Sequence, residues 1–121
     1  MCLVTKNPEQ TAKKDITCYK VVLLEGNKLL SFYYGFEYIL NNLNETVILY
    51  THDLIDKDYI AIEEAFHSFT SLDRAMKFLQ VCSSYSATIV KCTIPKGAKF
   101  YQDNECFASN QLIIKQILWL Y

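Results

Sequence analysis

Runs of apolar residues, some alternating and some helically spaced, divide the 121-residue chain into segments that predict their own structure. Residues 16–24, "ITCYKVVLL", are rich in β-branched side chains, and "EGNK" follows with Gly26-Asn27 at its centre. With the returning run "KLLSFYY" (28–34), ended by Gly35, this predicts a β-hairpin. "FEYIL" (36–40) reads as a further short strand, and the three-Asn stretch "NNLNE" as a turn. "TVILY" has strand composition, whereas "THDLIDKD" is polar and loop-like. "YIAIEEAFHSF" (59–69) alternates weakly and reads as extended.

The period then changes. "SLDRAMKFLQVC" carries apolar residues at 72, 75, 76, 79 and 82, the i, i+3, i+4, i+7 spacing of one helix face, so a helix is expected over about 71–82, ended by Ser83-Ser84. Thr70 or Ser71 is placed to cap it. Thr70-x-x-Asp73 matches the capping-box pattern, in which a hydroxyl accepts a first-turn N–H and the acid answers back. "ATIVKCTI" (87–94) is a strand stopped by Pro95 and Gly97, and "AKFYQ" (98–102) extends after that turn. The closing "QLIIKQILWLY" is Ile-rich, which favours strand, with a terminal helix as the alternative. Strands, one helix and more strands predict a single α+β domain over 16–121 with a mostly antiparallel sheet, preceded by a polar, loosely held lead-in over 1–15.

Composition narrows the class. The hydrophobic share is 51% and the charged share 21%, close to the usual values of about 45–50% and about 25%, so the chain has the material for one ordinary core. Net charge is −1, and no basic run exceeds Lys13-Lys14, which argues against nucleic acid as a partner. No apolar run is long enough for a membrane span, and the first residues lack the apolar stretch of a signal peptide. A cytoplasmic location is expected. Five cysteines without a C-x-x-C pair predict neither a disulfide framework nor a metal site; Cys18 and Cys92, inside apolar runs, read as core residues. Nine tyrosines suit a half-buried face that meets a protein or a small ligand.

Candidate chemistry is sparse. His67, between Phe66 and Phe69, is expected to be half-buried, with a cleft role as the alternative. Cys2 resembles the N-terminal nucleophile of class-II glutamine amidotransferases, but the glycine-rich segment that should follow it is absent from "LVTKNPEQ". A Cys–His pair built from Cys2, Cys82 or Cys106 with His52 or His67 has no motif behind it. Glu63 and Glu64 are neighbours in an extended segment, so they should face opposite ways as solvated surface and edge protection rather than act as a dyad.

Two resemblances cover roughly residues 17–117. "CYK", "FHSFTSLDRA" and "IVKCTIPKGAKFYQDNECFASNQLII" in that order resemble an uncharacterised family of small α+β domains from gut Bacteroidetes and their phages, with Ala65 where that family often has Gly. More distantly, the same order is similar to the ADP-ribosyltransferase fold. That fold implies an aromatic-Arg pair on a first strand, Ser-Thr-Ser before a helix, and a catalytic Glu on a late strand after an I-P-x-G turn. Tyr19-Lys20 stand at the first position and Ser68, Thr70 and Ser71 at the second. Gln111 stands at the third, with Glu105 six residues earlier reaching the site only through an unusual loop. A neutral Gln cannot stabilise an oxocarbenium-like transition state, and Lys lacks Arg's bidentate fork.

Three readings follow. The first is a non-catalytic binding domain with no cofactor. The second is a catalytically degenerate NAD-binding domain with Tyr19, Lys20, Ser68 and Ser71 around the cofactor and His67 and Glu105 as candidate catalytic residues. The third is a subunit that self-associates through its apolar C-terminal strand.

Overall fold

The computed structural model describes residues 3–31, 36–52, 55–56, 58–81 and 86–118. Their elements are β1 (Leu3–Thr5), β2 (Gln10–Thr11), β3 (Ile16–Glu25), β4 (Lys28–Ser31), β5 (Glu37–Tyr38), β6 (Leu43–Glu45) and β7 (Leu49–His52). After these come β8 (Ile60–Glu64), β9 (Phe66–Phe69), α1 (Leu72–Val81), β10 (Ala87–Ile94), β11 (Lys99–Gln102), β12 (Cys106–Ser109) and β13 (Gln111–Leu118). The fold is α+β with its weight on β: a small domain with one helix among the described residues and antiparallel strand ladders. No helix among them is long and apolar enough to cross a membrane.

The main sheet runs β2-β11-β12-β9-β3-β10-β13-β6, with β4 and β5 attached beside β3; a three-stranded sheet runs β1-β8-β7. The long strand β3 organises the molecule. One of its edges pairs with β10 from Ala87↔Leu23 to Ile94↔Ile16. Its other edge is divided: Tyr19 pairs with Phe69 of β9, and from Val22 onward β4 takes over. The strand therefore forks. The β3–β4 turn is the expected two-residue Gly26-Asn27, with Gly26 at φ 62°, a conformation in which glycine carries no Cβ penalty.

Each face of the main sheet builds a core, because side chains alternate along a strand. Cys18, Val22, Phe66, Val90, Cys92, Ile94, Phe100, Phe107, Leu112 and Ile114 belong to one. Val21, Phe69, Ile89, Tyr101, Cys106 and Ala108 lie on the other, packed with Ala75 of the helix and with Leu3 and Ile62 of the small sheet. The helix buries Ala75 and half-buries Leu72, Phe78 and Leu79, while Met76 is exposed; Phe78 takes the place the spacing had given to Met76 and stacks on Phe69 at 5.6 Å.

Several elements differ from the sequence reading. The extended run 59–69 is two strands in different sheets, separated by Ala65. β8 lies between β1 and β7, but β1 covers it only over Ile60–Ile62, so Glu63 and Glu64 are exposed at the end of the strand that the described part of β1 leaves open. The lead-in carries β1 and β2, with Leu3 and Ala12 buried. "NNLNE" contains β6, and β7 begins in "TVILY" and continues into "TH" of the segment read as a loop. β13 is a strand that pairs with β6 over Gln111–Ile113 and with β10 from Ile113 to Leu118, so only its later residues have an outer side that β6 leaves uncovered. A bulge adds Lys115 where Lys91 and Cys92 pair with Gln116 and Ile114, so that Ile114 and Ile117 join the same core. Cys2, Cys82, Ser83, Ser84 and the last three residues lie outside the described residues.

Candidate ligand cavity at the strand fork

Ser71 caps the helix: its Oγ accepts the Arg74 N–H at 3.3 Å, three residues on. The capping box expected from Thr70 and Asp73 is not used, because the helix starts one residue later than that pattern needs. Thr70 is tied instead to the turn before β12; its hydroxyl donates to the carbonyls of Asn104 and Glu105, and its N–H to Glu105. Asp73 supplies negative charge to the first turn.

Glu105 needs no unusual loop to reach this strand. Asp103 Oδ1 accepts the N–H groups of Glu105 and Cys106, which closes a tight turn and sets Glu105 opposite Thr70 at the start of β12. Its carboxylate accepts from Arg74 at 2.6 Å in an exposed ion pair. Gln111 opens β13 instead, with β3 and β10 between β13 and the strand of Ser68. Of the two residues weighed for the third position of the transferase-like order, Glu105 is the one beside the Ser-Thr-Ser strand.

The other candidates separate by face. Lys20 lies on the Cys18–Val22 side of β3, and Tyr19 on the side of Val21 and Phe69. Lys20 donates its amine to the His67 carbonyl at the fork and sits 5.7 Å from the centre of the Tyr38 ring. Burial pulls its pKa down to about 8. His67 is half-buried on the helix side, its Nδ1 without a hydrogen-bond partner; burial, then the charge of Lys20, pulls it down to about 4. A neutral imidazole of that kind is a poor general base. Ser68 is buried, and its Oγ makes no hydrogen bond of ordinary geometry. Behind it Cys18 and Cys92 face each other across β3 and β10. A hydrogen bond from Cys92 holds the Cys18 thiol down, and burial pushes Cys92 up. Cys106 is pushed up to about 11, mainly by burial. His52 stands in the small sheet, its ring 6.0 Å from Tyr50. Among the described residues no group of His, Cys, Asp and Glu is placed to hold a metal ion.

The fork opens onto a cavity of about 400 Å³. Its floor is Phe36, Tyr38 and Phe66, whose ring centres lie 5.2, 5.6 and 5.8 Å apart in tilted and edge contacts. Ser31 and Thr46 bring hydroxyls, and Glu63 and Glu64 border the opening. Both glutamates reach it although they are neighbours in a strand: Leu49 and Tyr50 pair with Glu64 and Ile62, so Glu63 is the extra residue of a bulge that breaks the alternation, and the chain bends at Ala65. No local motif marks these residues: each is ordinary in sequence, and only the fork and the bend assemble them. Comparison with known proteins finds no counterpart, for no family model, curated protein or solved structure matches this chain.

Proposed function

We propose that the chain is a non-catalytic binding domain whose ligand enters the cavity at the strand fork, acting in the cytoplasm of a bacterium or phage-infected cell. One observation carries this reading. A cavity of about 400 Å³ with an aromatic floor, within the roughly 300–1,000 Å³ usual for small ligands, stands beside chemical groups already committed to the fold. Ser71 closes the helix, Thr70 and Asp103 hold a turn, Lys20 serves a carbonyl, and Glu105 holds Arg74. A thermal-shift screen of small metabolites tests it. A ligand present at a hundred times its Kd should stabilise the protein by about 2.7 kcal/mol. Leu49→Trp, at an exposed position of the cavity wall, should fold normally and abolish that shift. A screen with no stabilising compound ends the proposal.

A second reading keeps the NAD-binding, transferase-like alternative, favoured by the placement of Glu105 opposite Thr70 next to β3. Lys20 and Ser68 share the β3–β9 side of the same core, but Tyr19 and His67 face away from them. On this reading millimolar NAD raises the melting temperature and Glu105→Gln removes any release of nicotinamide. A protein indifferent to NAD excludes it.

A further inference from the structure

We propose that the cavity at the strand fork takes an organic cation, an alkylated or quaternary ammonium group on a small apolar body. This rests on the binding reading above and names the ligand class for it. Three aromatic rings line the floor, an aromatic ring attracts a desolvated ammonium over its negative face, and Phe36 is 43% exposed, open to a ligand rather than sealed in the core. Two carboxylates border the opening. The polar partners described for them are hydroxyls: Thr51 donates to Glu63 at 3.3 Å and Thr46 to Glu64 at 3.4 Å. A hydroxyl orients a carboxylate without neutralising it.

The ion pair found among the described residues, Arg74–Glu105, belongs to the helix start instead. The cation described against these rings, Lys20, is held by the His67 carbonyl and forms no part of the cavity wall among the described residues. The opening therefore carries negative charge above an apolar floor. An anion would meet like charge there. A neutral apolar ligand would crowd two carboxylates and give them no partner, whereas an ammonium group satisfies carboxylates and rings together.

The test compares choline with its uncharged isostere, 3,3-dimethylbutan-1-ol, by amide chemical-shift titration of the full chain. Choline should produce saturable shifts around Phe36, Tyr38 and Ala65, and the alcohol should bind at least tenfold more weakly. The double variant Glu63→Gln/Glu64→Gln should lose at least tenfold in choline affinity, and Phe36→Leu should weaken it as well. Should the double variant unfold, the two single variants and the isostere comparison decide the matter. Equal binding of the alcohol overturns the inference, as does full affinity in the Gln variants. So does a spectrum unmoved by choline, benzyltrimethylammonium and butylamine. A neutral compound found in the cavity by the thermal screen would then leave the binding reading standing, and no ligand of any kind would end both.

Discussion

Of the two hydroxyls placed to cap the helix, Thr70 and Ser71, it is Ser71 that accepts the first-turn N–H of Arg74. Its hydroxyl supplies the bond that the capping-box pattern assigned to Thr70, because helix and box are out of step by one position. Ser71→Ala should cost about 0.5–2 kcal/mol in urea unfolding. Thr70→Val keeps the side chain's shape and removes its bonds to the turn before β12, at about 1 kcal/mol. Two bases partly withdrawn from water make stability depend on pH. His67 is held near 4 against 6.5 when free. The unfolded chain takes up that proton below about pH 6.5 and the folded chain only near pH 4, so stability falls as pH drops through this window, by up to about 3 kcal/mol. His67→Gln should flatten this limb in urea titrations at pH 4, 5 and 7. Lys20, held near 8 against 10.5, behaves differently. Between those values the unfolded chain keeps the proton that the folded one releases, so its contribution to stability improves as pH rises. Tyr38 and Cys106, both pushed up by burial, act in the opposite sense at high pH, so the wild-type curve alone is not diagnostic. The comparison with Lys20→Met is: the variant's advantage over wild type should shrink between pH 8 and 10. A constant difference would refute this role for the amine.

Elements were legible where composition and period agree over several residues. The β3–β4 hairpin (its returning strand as far as Ser31, residues 32–35 lying outside the described ones), β10 and the helix stand as expected, since each pattern runs over enough residues to outweigh single exceptions. The helix face was legible only in part, because periodicity ranks Met76 and Phe78 by position, whereas packing against Phe69 selects the aromatic ring. β6 and β12 are short and rich in small or polar residues, and they exist through pairing with β13 and β9. The division between β8 and β9 had no Gly or Pro to announce it. At the Pro95–Gly97 turn the backbone is more demanding: Gly97 adopts φ 92° although a Cβ there would meet nothing within 4 Å. Gly97→Ala should therefore destabilise through backbone strain alone, by about 1–3 kcal/mol, and a value near zero would show that the turn relaxes without loss.

At the scale of the whole molecule, the candidate site was the least legible part. Lys20, Ser68 and Glu105 could be chosen from sequence as polar residues in familiar company, but which face each occupies depends on strand pairing. The aromatic floor depends on a fork in β3 that no local pattern records. The first residues teach the same lesson in the opposite direction. They look like a loose lead-in because they are polar and carry Pro8, yet Leu3 lies in the core that joins the two sheets. Leu3→Ala should cost about 2–5 kcal/mol, where a free arm would cost nothing. That arrangement also has a consequence for synthesis. Thr11 of β2 pairs with Lys99, 88 positions later, so on a ribosome adding about 5–20 residues per second its partner emerges only after roughly 4–18 seconds. Until then β2 has no ladder to join, whereas β1 needs only β8, and this is the interval in which a chaperone or a protease would meet the segment around Thr11.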